Sequence, residues 1–418
     1  MIPTWQLLIL SLFYMAVLFF IAWYGDKRAI KGNPLHNRGL VYGLSLAVYC
    51  TSWTFYGAVG QAATSGWLFL AIYVGPILFL ALFWPLLERI IRITKEKRLT
   101  SIADFIATRY GRDHGLAILV TFVAMLGVIP YIALQLKAVS ITYELLTQPL
   151  GMPQSIPEFI IQDTAFYISV AMAIFVVVFG TRDIDASEQH PGITLAIAFE
   201  SVVKLVAFVA VGLWAVTALY DTPGDVVRLA TKTTPEHPLF SSNFISVSFL
   251  LQTLLAGFAI LCLPRQFQVS VIENESTDHI QTARWVFPLY LALMMLFVAP
   301  LALSGDLFMK DLGFSPDTYL ISLPLTLGQE GLAMLAFVGG ASAATGMIIV
   351  ATIAVSTMIS NELILPIIFR RQQREGQKPE RVNLLVLTVR RLVICLLIFS
   401  SYLFYRLAGE LESLAAIG

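Results

Sequence analysis

The sequence predicts an all-α polytopic membrane protein, and three observations carry that prediction. Hydrophobic residues make up 57% of the 418, charged residues only 13%, and mean hydropathy is +0.78; soluble domains carry about 25% charged residues. Ten segments are each long and apolar enough to cross a bilayer, and the basic residues between them fall almost entirely on one side. In water so apolar a chain would expose large adhesive patches, whereas lipid lets its side chains face outward. Lys+Arg and Asp+Glu number 27 each and no basic tract gathers the cations, which argues against nucleic acid as a partner.

A span requires about 20 residues at about 1.5 Å each. The segments run near 5–25, 41–60, 66–88, 115–145, 163–180, 191–219, 242–263, 285–303, 329–360 and 384–405. No basic residue precedes the first and no small-residue cleavage site follows it. It ends in Tyr24-Gly25-Asp26-Lys27-Arg28, an interfacial aromatic followed by charge, the pattern of a retained span rather than a signal peptide. With the N-terminus outside, the inside segments 26–40, 88–114, 181–190, 264–284 and 361–383 hold nineteen Lys/Arg; the outside segments hold three, Arg228, Lys232 and Lys310. That bias sets the orientation and supports the span count. Three segments exceed the thickness of a bilayer and must tilt, bend or project. The last residues, from Glu410 to Gly418, read as a further helix begun and not ended, so the chain is expected to be a fragment.

Polar residues inside the spans are the candidates for function. Glu200 and Lys204 stand four apart in the sixth segment and share a helix face. A tertiary ion pair that locks packing, an ion or solute path, and an interfacial position with snorkelling all remain open for them. Gln135, beside Lys137, is either a helix–helix hydrogen bond or a polar group in a central cavity. The second segment combines hydroxyls, aromatics and glycines over residues 44–66, including Tyr49, Cys50, Ser52 and Trp53; this suits an unwound helix that offers carbonyls to a ligand, or else close helix packing. The ninth segment has Gly339-Gly340-Ala341-Ser342-Ala343-Ala344-Thr345-Gly346, where small residues serve close packing or oxygens serve a monovalent cation. The seventh carries Gln252, Thr253 and Gly257 and is expected to bend or end at Leu263-Pro264, since proline cannot donate to the ladder. Cys50, Cys262 and Cys395 are read as small buried hydrophobes. His36, His114, His190, His237 and His279 lie in connections and form no metal pattern, and Asp183, Asp185 and Glu188 read as a solvated, capped turn.

Several stretches resemble the sodium/solute symporter family: residues 49–60, the inside loop 99–111 (LTSIADFIATRYG), and Gln135. Others are similar to the symporter-like membrane domain of a subgroup of bacterial sensor histidine kinases, those of carbon and nitrogen catabolism: 179–188 (FGTRDIDASE), 198–204, 263–269 (LPRQFQV) and 283–290 (ARWVFPLY). The resemblance implies a LeuT-like core of two inverted five-helix repeats (5+5), preceded by one extra N-terminal helix (1–25). The first repeat would occupy 41–219, and an incomplete second repeat 242–418, cut before the last core helix of a thirteen-span domain. It implies a bacterial inner membrane with a periplasmic N-terminus. It further implies a small amino acid as solute, histidine suspected, and Na+ or H+ as coupling ion. Signalling domains after residue 418 would address a cognate response regulator and offer a homodimer through the kinase module.

At the sites, the resemblance places sodium-binding carbonyls near Ala47 and Cys50, aligned on Trp53 and Gly57. The position that is acidic in some members falls on Tyr49. The family's adjacent hydroxyl pair in the ninth span is broken here, Ser342 being followed by Ala343 and Thr345 preceded by Ala344. Sodium coupling is therefore expected to be weaker or replaced by another ion such as the proton, with Glu200 and Lys204 as substitute carriers. Solute contacts are expected from Tyr49, Ser52, Trp53, Gln135, Thr253 and Phe258. No nucleotide loop or phosphoacceptor histidine accompanies them, so no catalytic activity is expected of the fragment itself. A stand-alone symporter and a transport-dead sensory anchor are the competing expectations.

Overall fold

The computed structural model describes residues 2–32, 37–148, 157, 159–180, 190–241, 245–367 and 382–408. Helix is the sole regular structure among them. The chain begins with α1 (Thr4–Ile30), and the second predicted span is then built in pieces. α2 (Arg38–Ser45) tightens into a 3-10 turn (Leu46–Tyr49) and opens at Cys50, which is extended (φ −77°, ψ 97°). It resumes as a π-helical turn (Trp53–Gly57) and α3 (Ala58–Ser65). Gly66, at φ 65°, turns the chain toward α4 (Ala71–Lys97). The inside loop motif folds as α5 (Ile102–Arg109). Its start is capped reciprocally: the Asp104 amide donates to Ser101 Oγ (3.1 Å) and the Thr100 amide to Asp104 Oδ2 (3.2 Å).

α6 (His114–Thr147) has 34 residues, roughly 50 Å of helix, and so must project beyond a bilayer or tilt within it. α7 (Thr164–Gly180), α8 (Pro191–Ala218) and the short amphipathic α9 (Asp225–Thr233) follow. α10 (Val247–Cys262) ends at Leu263, and α11 (Pro264–Phe267) leaves at 52° before a π-helical turn (Gln268–Ile272). Pro264 has no N–H to continue the ladder, the reason the sequence gives for a break there. α12 (His279–Met309), α13 (Tyr319–Thr326), α14 (Glu330–Met358) and α15 (Val382–Ala408) complete the described chain.

Each of the ten predicted segments is helical over most of its described length. Seven helices among the described residues are long and apolar enough to cross a bilayer, eight if α10 and its bent continuation count as one span. Burial sorts them. The apolar stretch of α14 is 78% buried, that of α1 only 22%, so α14 is the central column and α1 an outer helix. α14 packs against α8, α6 and α13, α1 packs on α8, and α10 packs on α4. The last pair approaches so closely that a Cβ on Gly75 would lie 2.7 Å from the Gly257 amide nitrogen, which explains glycine at both places.

The cysteine reading holds for Cys50 alone. Cys262 and Cys395 face outward from the helices, where a weakly polar thiol is tolerated by lipid as it would be by a core. His36, the turn at Asp183, Asp185 and Glu188, and the interrupted end at 410–418 lie outside the described residues.

Candidate cation and solute site between two broken helices

Two helix breaks meet in the interior, and both free backbone groups that need partners. At the first break Cys50 leaves the helical ladder: the Ala47 carbonyl still accepts the Cys50 amide (3.0 Å), and the Cys50 carbonyl is freed. Lys204, reaching across from α8, donates from Nζ to the Ala47 oxygen (2.7 Å) and the Cys50 oxygen (2.8 Å). Further groups of this break are occupied as well. The Thr51 amide donates to Thr54 Oγ1 (2.9 Å). The Ser52 amide (3.0 Å) and hydroxyl (2.7 Å) both donate to Gln135 Oε1 on α6.

Glu200 lies one turn before Lys204 on α8, and the two are 1% and 2% exposed. They are not in ion-pair contact. Glu200 Oε1 accepts the Thr345 hydroxyl of α14 (2.6 Å), while Lys204 is given to the carbonyls. The Ser342 hydroxyl donates to the Glu200 backbone oxygen (2.9 Å) and accepts from the Tyr14 hydroxyl of α1 (2.7 Å). Both hydroxyls that could complete a cation site on α14 are thus turned to α8. Glu200 Oε2 is buried without a hydrogen-bond partner, and a Cβ on Gly346 would stand 2.5 Å from it. The run of small residues in the ninth segment therefore has a specific use at Gly346: it makes room for a carboxyl group.

At the second break Arg265 is 5% exposed. Its guanidinium lies 4.2 Å from the centre of the Tyr131 ring, and Nη2 donates to the Tyr131 hydroxyl (3.1 Å). Tyr131 touches Thr51 Oγ1 (3.2 Å), and Gln266 Nε2 donates to the Leu46 oxygen (3.4 Å), so the two breaks are joined. Two buried polar atoms here have no partner, Arg265 Nε and Gln266 Oε1, and a third, Trp53 Nε1, lies at the first break.

The structure thus brings Ala47, Cys50, Glu200, Lys204, Ser342 and Thr345 into one cluster, with Ser52 and Gln135 bonded beside it. Tyr49 is buried among its own contacts, its hydroxyl on the Ile72 oxygen (2.9 Å) and its ring edge-on to Phe287. Thr253 and Phe258 lie apart. The Thr253 hydroxyl is spent on the Phe249 oxygen (2.7 Å), and Phe258 is 45% exposed against Phe79 of α4. Sequence reasoning missed Tyr14, Tyr131 and Arg265. Arg265 had a signal: a charged residue directly after a proline break in a span.

A Na+-coupled sialic acid symporter, solved substrate-bound and outward-open, superposes with a TM-score of 0.66 over 97% of this chain and 82% of its own, at 15% identity. The fold is that of a polytopic membrane transporter. No family model and no curated protein sequence matches the chain. The transporter fold rests on architecture: apolar helices in a multi-pass membrane protein, arranged as in a symporter.

Proposed function

We propose that this chain binds a small amino acid, histidine being the first candidate, between its two broken helices and carries it inward by alternating access, driven by protons rather than sodium. It would form the N-terminal membrane domain of a sensor histidine kinase of the bacterial inner membrane, with a periplasmic N-terminus, two inverted repeats behind the extra helix, and signalling domains that address a response regulator. The observation that carries the coupling reading is the ammonium of Lys204 on the carbonyls of Ala47 and Cys50. A sodium ion at those oxygens would sit about 3 Å from a like charge, which costs roughly 5 kcal/mol at an effective dielectric constant of about 20. Loss of one proton from Lys204 would remove the ammonium and release the carbonyls. Glu200, one turn away with Oε2 unfilled, is the acceptor assigned here. Binding of solute would then shift the balance of outward- and inward-open forms by its difference in affinity for the two.

Sodium is the second reading, because the structural neighbour is a Na+-coupled symporter. Uptake of labelled amino acids into proteoliposomes, with sodium and proton gradients imposed separately, decides between them. Accumulation under an inward proton gradient, indifferent to sodium, is the expected result. Accumulation that requires sodium and ignores the proton gradient would overturn the coupling reading.

A further inference from the structure

We infer that Arg265 is the anchor for a carboxylate on the solute, so that the site at the two breaks selects acids over their neutral counterparts. This rests on the transporter reading above. A guanidinium taken out of water is among the most unfavourable groups to bury unless an anion accompanies it. Arg265 is almost wholly buried, yet no carboxylate lies within ion-pair distance among the described residues. Its five N–H donors are served by one hydroxyl and one aromatic face, both from Tyr131, and Nε has no acceptor. A cation–π contact offsets only part of the desolvation of such a group.

The local balance of charge says what is missing. Lys204 on the Cys50 carbonyl and Arg265, tied through Tyr131 to Thr51, both stand at the first break, and Glu200, one turn from Lys204, is the carboxyl group beside them. Two cations therefore face one carboxyl group, and a single added negative charge balances the cluster. The geometry says where it belongs. Arg265 is the second residue past the Leu263 break, and its Tyr131 partner bonds Thr51 at the other break, so the guanidinium stands where the two halves of the site meet. A planar fork of N–H donors matches a carboxylate in shape as well as charge. The unfilled Gln266 Oε1, an acceptor one residue on, fits the ammonium end of an amino acid.

The test uses the whole chain in detergent and the twenty L-amino acids, each paired with its own amide, with affinity read by equilibrium binding. In the wild-type protein the acid that binds should do so at least ~30-fold more tightly than its amide, the loss expected when a buried charge partner is removed. Arg265→Gln should lower affinity for the acid by a similar factor, leave the amide unchanged, and bring the ratio near one. Tyr131→Phe should retain the preference for the acid. Equal binding of acid and amide by the wild-type protein would overturn the assignment without need of any variant, as would an unchanged ratio in Arg265→Gln. Binding that shows the acid preference without uptake in proteoliposomes would sink the transport reading and leave this one standing. Uptake confined to carboxylate-free solutes would do the reverse.

Discussion

The two helix breaks differ in who satisfies them. At Cys50 four backbone groups find partners within the chain, Lys204 for two carbonyls, Thr54 and Gln135 for two amides, while Trp53 Nε1 and Glu200 Oε2 stay unfilled. At Leu263 the side chains beyond the break keep unfilled valences, in Arg265 Nε and Gln266 Oε1. A closed network is part of the fold, and its removal should cost stability. An open one adds little to the fold and is available to a ligand. The difference supports the proposals of coupling at the first break and recognition at the second.

That contrast can be broken at either end. The largest effect is expected from Lys204→Met, which strands the Cys50 carbonyl, leaves the Ala47 carbonyl to the Cys50 amide alone (3.0 Å), and leaves Glu200 buried without its nearby cation. About 3–5 kcal/mol of stability should be lost, with uptake abolished, whereas Lys310→Met in an outer turn should change neither. Equal melting temperatures and equal uptake for the two variants would remove Lys204 from the centre of the account. Gln135→Leu comes next. It leaves the Ser52 amide unpartnered at the same break and should cost about 1–3 kcal/mol by denaturation in detergent.

At the inner end of the bent span, Glu273 accepts the His190 amide (2.7 Å), lies 3.0 Å from His190 Nδ1 and accepts from Gln268 Nε2 (3.0 Å). Burial alone would raise its carboxyl, but the His190 charge and these bonds outweigh burial and hold it below the ordinary carboxylate range. A depressed folded-state value stabilises above the unfolded value and loses that contribution as pH falls through the depressed one. Glu273→Gln should therefore melt lower than wild type at neutral pH, by an amount worth about 1.5–3 kcal/mol. The gap should begin to narrow below about pH 4 and close as pH falls through the depressed value; a gap that does not narrow in acid would contradict the tie. Tyr14→Phe removes one hydroxyl from Ser342 and should cost about 1 kcal/mol. An additional change in uptake would mean that the outer helix α1 takes part in transport. The smallest stability effect is expected for Arg265→Gln, within about 1 kcal/mol of wild type in either direction, because a buried charge without a carboxylate is replaced by a neutral group. A loss comparable with that of Lys204→Met would erase the distinction between the breaks.

Much of this was legible in the sequence because it depends on local pattern. Apolar runs of sufficient length give helices, Pro264 ends one, and a spacing of four puts Glu200 and Lys204 on one face. The polar composition of residues 44–57 suited either an unwound segment or close helix packing, and it is there that the helix opens. The solute contacts were less legible. Thr253 and Phe258 carry suitable groups, but the rotation of α10 turns Phe258 toward α4 and the outer surface, and rotation about a helix axis is set by neighbours rather than by residue type.

By itself, the sequence determined that the chain is a bundle of apolar helices, where two of them break, and which residues could bear charge inside it. Hydrophobic length, proline and helical periodicity act over a few residues and need no partner to be read. Only the tertiary structure decided that Lys204 sits on the carbonyls of Ala47 and Cys50, that Tyr14 reaches Ser342, and that Arg265 has no carboxylate partner among the described residues. Those contacts join residues 154 to 328 positions apart, as Lys204 with Cys50 and Tyr14 with Ser342 show. A buried charge takes whatever partner the packing brings within about 3 Å of it, and no spacing along the chain encodes that distance.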